Sequence, residues 1–252
     1  MQDVEFWGLS AVSQLGRRRT GTVSLGGNGQ FTRLSALLSL GERPWSKSLT
    51  EDLDLAISLA IDGWQLTMPP TCFVDQQAVK SISALLKQRT RWFQGHMTCS
   101  KRMGEVLRSR NLSNRAAMEI CAYLMVPYGL TLPWSILGQW ALYQSVARLS
   151  TYLSPSTWNG STVLPFLYAI GWYLIGFAPT LLTGFFYGKR SGVSKSRSIF
   201  LAHVLLVYNY LMYWAAWRAL IRMLWGGTSW TKTDRVIEKP QVVENPPVVL
   251  AQ

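Results

Sequence analysis

Residues 82–97, ISALLKQRTRWFQGHM, are the stretch from which the rest of the chain can be placed. On a helical wheel of about 100° per residue, the apolar residues of the surrounding segment, 78–103, share one arc and the basic residues lie opposite. The apolar arc comprises Val79, Ile82, Leu86, Phe93 and Met97, and the basic side comprises Lys80, Lys87 and Arg91. This pattern predicts an amphipathic helix, and such a helix ahead of apolar spans is typical of a lipid interface.

Three long apolar segments follow this helix, at 116–149, 163–187 and 199–225. Each exceeds the roughly 20 residues that a helix needs to cross a bilayer, so we predict about three transmembrane helices within 116–225. The first segment contains Pro127 and Pro133. It is therefore open to three interpretations: a kinked helix, a strongly tilted helix or a re-entrant hairpin.

The loops on either side of the second apolar segment differ in charge. Residues 150–162 contain no Lys or Arg, whereas 188–198 contain four, which predicts that the second loop is cytoplasmic. Three simple crossings would then leave the basic region 218–235 outside, against the same rule. Three explanations stay open: the last segment enters and returns, the first segment is a hairpin, or the tail breaks the rule.

The residues before position 78 show both helical and extended patterns. One predicted helix follows Ser48 and Glu51, which have the spacing of a capping box. Between two of the elements, Gly26-Gly27-Asn28-Gly29 predicts a turn of residues that tolerate positive φ. Such a turn is either a plain connector, which the string alone favours, or a loop that lines a substrate site. The predicted helices are 1–20, 32–40 and 49–62, and the predicted strands or extended segments are 22–25 and 66–74.

The composition narrows the chemical class of partner that the chain is expected to bind. There are 25 Lys plus Arg against 13 Asp plus Glu, and the formal charge of +12 suits an anionic partner. The apolar segments favour lipid head groups or a nucleotide diphosphate over nucleic acid. Neither the three cysteines nor the two histidines have the spacing of metal ligands, so no zinc site or disulfide framework is predicted. These residues are Cys72, Cys99, Cys121, His96 and His203.

The acidic string Thr50-Glu51-Asp52 opens the helix predicted at 49–62. Attack by a hydroxyl group needs a carboxylate that removes its proton, and Asp52 is the candidate base. Its place in the first turn predicts that the helix N-terminus keeps it ionised. The alternative is structural, because acidic residues stabilise first turns whether or not they take part in chemistry.

The string Gln88-Arg89-Thr90-Arg91-Trp92 carries a second cluster. Gln88, Arg91 and Trp92 are spaced i, i+3, i+4, so one ligand can meet all three. A guanidinium can bind a pyrophosphate, an amide can contact sugar hydroxyls, and an indole offers a stacking face for a sugar ring. Arg89 falls within the apolar arc, where it must snorkel, find an anion or lie at a local distortion. The alternative for the cluster is Trp and Arg at head-group depth.

In order and spacing, these strings resemble the C-terminal part of a membrane-bound family 2 glycosyltransferase, the group of cellulose, hyaluronan and chitin synthases. The strings are Gly-Gly-Asn-Gly-Gln-Phe-Thr-Arg (26–33), Thr-Glu-Asp (50–52), Gln-Arg-Thr-Arg-Trp (88–92) and Trp-Thr-Lys-Thr-Asp-Arg (230–235). The resemblance implies a partial GT-A (Rossmann-like) α/β domain over 1–77 and an interfacial helix region with a QxxRW-type motif over 78–115. Transmembrane helices over 116–225 and a basic, then disordered tail over 226–252 would follow.

The resemblance also implies an activity and its residues. The chain would transfer a hexose from a UDP-sugar or similar donor, with inversion, to a carbohydrate or lipid acceptor at the cytoplasmic face of the inner membrane. Asp52 would be the catalytic base, with Thr50 and Glu51 beside the acceptor. Gly27, Asn28, Gly29, Gln88, Arg89, Arg91 and Trp92 would complete the substrate site. Asp52 and Trp92 should then face a common cavity.

The chain departs from that family in one respect. A complete enzyme is expected to hold Mg²⁺ or Mn²⁺ through a DxD motif upstream of the base. The only D-x-D here, Asp52-Leu53-Asp54, overlaps the base motif. We therefore expect a truncated, split or degenerate enzyme, inactive alone, whose nucleotide-binding half is encoded elsewhere. The alternative is a non-catalytic membrane subunit or pseudoenzyme; a small transporter is disfavoured because acids are scarce in the apolar segments.

Overall fold

The computed structural model describes residues 1–69, 71–153 and 163–227. The predicted disordered tail, the 230–235 string and most of the uncharged loop lie outside these residues. In the N-terminal 20 residues the predicted helix is confirmed, in four consecutive pieces that differ in winding. They are α1 (Gln2–Glu5), a π-helical turn (Phe6–Ser10), α2 (Ala11–Arg17) and a 3₁₀ turn (Arg18–Thr20).

Between residues 21 and 81 two further helices form, α3 (Leu34–Ser39) and α4 (Glu51–Ile61), as the periodicity predicts. Among the residues that the structure describes, the extended segments around them pair through one parallel bridge, between Thr22 and Leu66. In the described part of the chain there is no β-strand, so the predicted α/β, Rossmann-like fold over 1–77 is not formed there. A single pair of short segments lacks the further neighbours that a stable sheet needs.

The core of the N-terminal unit lies between α4 and the start of the first apolar segment. Leu55 and Ile57 of α4 are buried against Ile120 and Leu124, and Val106 closes the end of the cluster. The helices on the far side are α6 (Met103–Arg108) and α7 (Asn114–Val126). The first apolar segment therefore begins inside this core, not at its edge.

A π-helical turn at Pro127–Thr131 joins α7 to α8 (Leu132–Leu153). The helix is continuous through the proline, so the first apolar segment is not a re-entrant hairpin. The helices α9 (Val163–Ser191) and α10 (Lys195–Leu224) follow. Three helical stretches, Asn114–Ser150, Phe166–Ser191 and Lys195–Leu224, are long and apolar enough to cross a membrane, as the sequence predicts.

The amphipathic helix α5 (Ile82–Cys99) begins later than predicted, and a 3₁₀ turn (Ser100–Arg102) follows it. Ile82, at its first position and in the predicted apolar arc, is 67% exposed. Its buried face lies against α10, where Leu85 meets Tyr208 and Met97 meets Ala216. Protein, not lipid, thus covers much of the apolar side of α5.

The course of α10 bears on the charge conflict in the sequence. Tyr210 bonds to Gln139, and Trp217 Nε1 donates to Ser135 Oγ at 3.0 Å. Toward the C-terminus of α10, its contacts on α8 therefore lie closer to the N-terminus of α8. At its end, Arg222 Nε donates to Gln94 of α5 at 3.2 Å. The basic end of α10 thus lies against the amphipathic helix, and because α10 is one continuous helix from Lys195 to Leu224, the last segment does not turn back within itself.

Candidate functional site

Asp52 lies in the first turn of α4, but the predicted capping box is wrong. The N-cap is Thr50, and Ser48 Oγ accepts from the Thr50 N–H at 3.3 Å instead of capping the helix. The helix begins two residues too late for Ser48 to reach its first turn. Asp52 Oδ1 accepts from the Leu53 N–H at 2.8 Å, which fixes the carboxylate at the helix entrance.

Burial raises the pKa of Asp52 above its ordinary value of 3.8. The Leu53 N–H lowers the pKa, the Glu51 carboxylate raises it, and Arg91 lowers it. The net shift is upward because desolvation outweighs the groups that favour the charged form. A carboxylate with a raised pKa is a stronger base whenever it is ionised.

The glycine turn lies directly on this carboxylate. Gly27 has a φ of +74°, and a β carbon at this position would lie 3.1 Å from Asp52 Oδ2. Gly29 has a φ of +60° and lies against Val74, while Asn28 Nδ2 donates to Gln76 Oε1 at 2.5 Å. Of the two interpretations of the turn, contact with Asp52 fits the site-lining one.

The two sequence motifs meet where α4 begins. A β carbon at Gly95 of α5 would lie 2.5 Å from Thr50 Cγ2 and 2.9 Å from its backbone nitrogen, so only glycine permits this approach. Gly95 follows Arg91 by one helical turn, and Arg91 acts electrostatically on Asp52. Thr50 Oγ1 also lies 3.6 Å from Cys99 Sγ. The junction thereby brings the acidic string beside the QxxRW-type string.

Trp92 lies on the next flank of α5, toward the N-terminal helix. Its ring meets Phe6 edge to face at 6.3 Å between centroids. Arg89, in the predicted apolar arc, finds an anion: its Nη2 lies 2.8 Å from Glu5 Oε2. Gln88 Oε1 accepts from Arg89 Nη1 at 2.9 Å. The string thus divides, with Arg91 toward Asp52 and Trp92 toward Phe6, and these contacts do not bring Asp52 and Trp92 to the common cavity that the resemblance implies.

Tyr123 of α7 adds a residue that the sequence did not single out. Arg17 Cζ lies 3.9 Å from its ring centroid, and the His96 ring packs against it at 4.8 Å. Tyr123 and Ser24 line the same small cavity beside α4. His96 Nε2 is 2.8 Å from the Tyr123 carbonyl oxygen, and burial lowers the pKa of this histidine.

The structure brings together Gly27, Thr50, Asp52 and Arg91, while Glu51 is exposed beside them. Sequence analysis missed Gly95, Tyr123 and Glu5. A glycine inside a helical pattern costs about 1 kcal/mol relative to alanine, so Gly95 did carry a usable signal of close approach. Glu5 carried none, because its partner lies 84 positions away.

The carboxylates of the D-x-D string do not form a metal site. Asp52 faces Gly27 and Arg91, whereas Asp54 Oδ1 is bound by Arg102 Nη1 at 3.0 Å. A divalent cation needs oxygens that converge on one point. Within residues 1–69, 71–153 and 163–227, no group of three or more His, Cys, Asp or Glu is placed to hold a metal.

Comparisons with known proteins find curated relatives of part of the chain. A beta-monoglucosyldiacylglycerol synthase of Trichormus variabilis is 29% identical over 109 residues, covering 43% of this chain and 23% of the relative. The beta-monoglucosyldiacylglycerol synthase of Synechocystis sp. is 37% identical over 105 residues, covering 36% of this chain and 21% of the relative. The match thus spans less than a quarter of either relative's length. No solved structure gives a significant match.

The family comparison covers far more of the chain. Residues 5–230 match the family described as Glycosyl transferase family group 2. The match includes the glycine turn, the acidic string, the QxxRW-type string and all three apolar helices. The chain therefore belongs to the glycosyl transferase family group 2.

Proposed function

We propose that this chain takes part in transferring a hexose from a nucleotide sugar to an acceptor hydroxyl at a membrane surface, with inversion of the anomeric carbon. Asp52 is the base. The observation that supports this role is the position of its carboxylate: it is half-buried, lies beside the exposed Gly27 turn and interacts electrostatically with Arg91 of the second motif.

In the proposed step, the acceptor oxygen forms a bond to the anomeric carbon while its proton passes to Asp52. The bond from the anomeric carbon to the diphosphate oxygen breaks, and the nucleotide diphosphate leaves with that electron pair. Arg91 is placed to stabilise the charge on the leaving diphosphate through paired N–H donors. Gly27 leaves the carboxylate accessible, because the turn around it is exposed.

A membrane lipid is the acceptor class that we favour over a growing polysaccharide. Both relatives described above are named as synthases of a glucosylated diacylglycerol. The helix that carries Arg91 and Trp92 packs along α10, one of the helices apolar enough to span a bilayer. An acceptor held in the bilayer would therefore reach the motif helix without leaving the lipid.

We also propose that the donor's nucleotide, with its Mg²⁺ or Mn²⁺, is held by a half that lies outside these 252 residues. That half is either an upstream part of the same protein or a separate chain. The proposal is supported by the D-x-D string, whose two carboxylates face different partners. Titration of the 252-residue chain with a UDP-sugar should then show weak binding. Micromolar affinity in isothermal titration would contradict this part of the proposal.

The proposed chemistry is tested by Asp52→Asn in the protein expressed from its own gene and purified from membranes. The amide keeps the geometry at the helix entrance but cannot accept the proton, so transfer to diacylglycerol should fall about 10²–10⁴-fold. The matched control is Asp62→Asn at the other end of α4, an exposed carboxylate bonded to Ser39 and Trp64. Wild-type turnover in Asp52→Asn would show that Asp52 is not the base.

A further inference from the structure

A buried ion pair joins α1 to the QxxRW-type string. Arg89 is only 2% exposed, and its guanidinium binds Glu5 at 2.8 Å. The same Glu5 oxygen accepts a hydrogen bond from the Tyr208 hydroxyl of α10 at 2.6 Å. One carboxylate from α1 thus holds a cation from α5 and a phenol from α10.

The guanidinium also contacts both of its functional neighbours in the string. Its Nη1 donates to Gln88 Oε1 at 2.9 Å. Its Cζ lies 4.1 Å from the centroid of the Trp92 ring and 5.3 Å from that of Phe6. A cation over an aromatic face attracts the ring quadrupole, and Phe6 packs against the same indole from the side. The orientation of Trp92 is therefore fixed by Arg89 and Phe6.

Two features argue that this cluster serves the string and does not bind substrate itself. Arg89 is almost completely enclosed, and its Nη1 and Nη2 donors are taken by Gln88 and Glu5. A buried ion pair also contributes little net stability compared with apolar residues of the same volume. A precise orientation of neighbouring groups is a role that the observed contacts do support.

We infer that Glu5 and Tyr208 are positioning residues that act through Arg89 to orient Trp92 as the stacking face for the acceptor sugar or head group. This inference rests on the proposed function. It changes the role expected for Arg89 from substrate contact to support of Trp92. It also gives α10 a part in acceptor recognition, through a hydroxyl that never touches the acceptor.

The test compares Glu5→Gln and Tyr208→Phe with the wild type, in the purified full protein. Because the cluster acts on stacking, Glu5→Gln should raise the acceptor KM about ten-fold while the donor KM and kcat stay nearly unchanged. Arg89→Lys keeps a cation but loses the planar guanidinium group, and it should raise the acceptor KM less than Glu5→Gln does. Asp54→Asn, which breaks the separate pair with Arg102, is the control and should leave the acceptor KM unchanged.

A double-mutant cycle separates positioning from a general loss of structure. In a Trp92→Ala background acceptor use is already weak. There Glu5→Gln should have no further effect on the acceptor KM, because the indole through which Glu5 acts is absent. Equal rises in both backgrounds would overturn the inference. If Asp52→Asn is as active as the wild type, the proposed function fails instead, which is a different outcome.

A measurement that does not depend on transfer activity completes the test. In protein labelled with 5-fluorotryptophan, the fluorine signal lost in Trp92→Phe is that of Trp92. That signal should shift and broaden in Glu5→Gln and in Tyr208→Phe, and stay in place in Asp54→Asn. An unchanged Trp92 signal in folded, monodisperse Glu5→Gln protein would overturn the inference even if no transfer can be measured.

Discussion

Thr50 and Gly95 are in contact so close that position 95 admits no side chain: a β carbon there would lie 2.5 Å from Thr50 Cγ2. This contact places the start of α4 on the middle of α5. It therefore sets the distance between the carboxylate of Asp52 and the guanidinium of Arg91, which come from motifs far apart in the sequence.

Gly95→Ala should separate the two helices. The added methyl group must displace backbone as well as side-chain atoms of Thr50, so we expect a loss of about 1–3 kcal/mol in the free energy of unfolding and a marked loss of transfer. Thermal unfolding and a transfer assay measure the two effects. Gly104→Ala is the control, because the space around Gly104 is open. Equal behaviour of the two variants would mean that the contact does not matter.

Gly27→Ala should impair transfer through contact with the base. A methyl group there would lie 3.1 Å from Asp52 Oδ2, in addition to the strain of a φ of +74°. The matched control is Gly41→Ala, where φ is +88° but no atom lies within 4 Å. Both variants should lose about 1–2 kcal/mol of stability from strain, and only Gly27→Ala should also lose turnover. A similar turnover in both would remove the turn from the site.

The pH dependence of transfer should report the pKa of Asp52. The base must be unprotonated, so the rate should fall as the pH falls through its pKa, and burial places that decline above 3.8. Glu51→Gln removes a negative charge that raises the pKa, so the decline should move to lower pH. Arg91→Gln removes a positive charge that lowers it, so the decline should move to higher pH.

Normalised pH–rate profiles make this comparison even where a variant has a lower maximum rate. Arg102→Gln serves as the control, because this arginine pairs with Asp54 and Glu105 and leaves Asp52 alone. If Glu51→Gln and Arg91→Gln moved the decline in the same direction, the base would be some other group.

Local periodicity was enough to predict the helices, and long-range packing decided the rest. The spacing of α4 and of the three apolar helices is visible within one window of sequence, and the structure follows it. The single bridge between Thr22 and Leu66 depends on what surrounds each segment, which no local pattern contains. For the same reason the upward shift in the pKa of Asp52 could not be foreseen from its first-turn position, because that shift comes from burial.

The predicted border at residue 116 shows the same limit. An apolar segment indicates that its side chains are buried away from water, but it does not indicate whether lipid or protein covers them. Ile120 and Leu124 are covered by the residues of α4, whereas Ile136 and Leu137 of α8 remain exposed. All four residues are apolar, so composition alone cannot distinguish the pair that protein covers from the pair that is exposed.

That division within a single helix has a mechanical consequence. Because α7 is continuous with α8 through the turn at Pro127, the part that packs in the N-terminal core and the exposed apolar part of α8 belong to one continuous helix. A helix rises about 1.5 Å per residue, so the number of residues between Ile120 and Ile136 fixes the distance from the N-terminal core to the exposed apolar surface of α8. Inserting or deleting residues between these two positions would move the core relative to that surface.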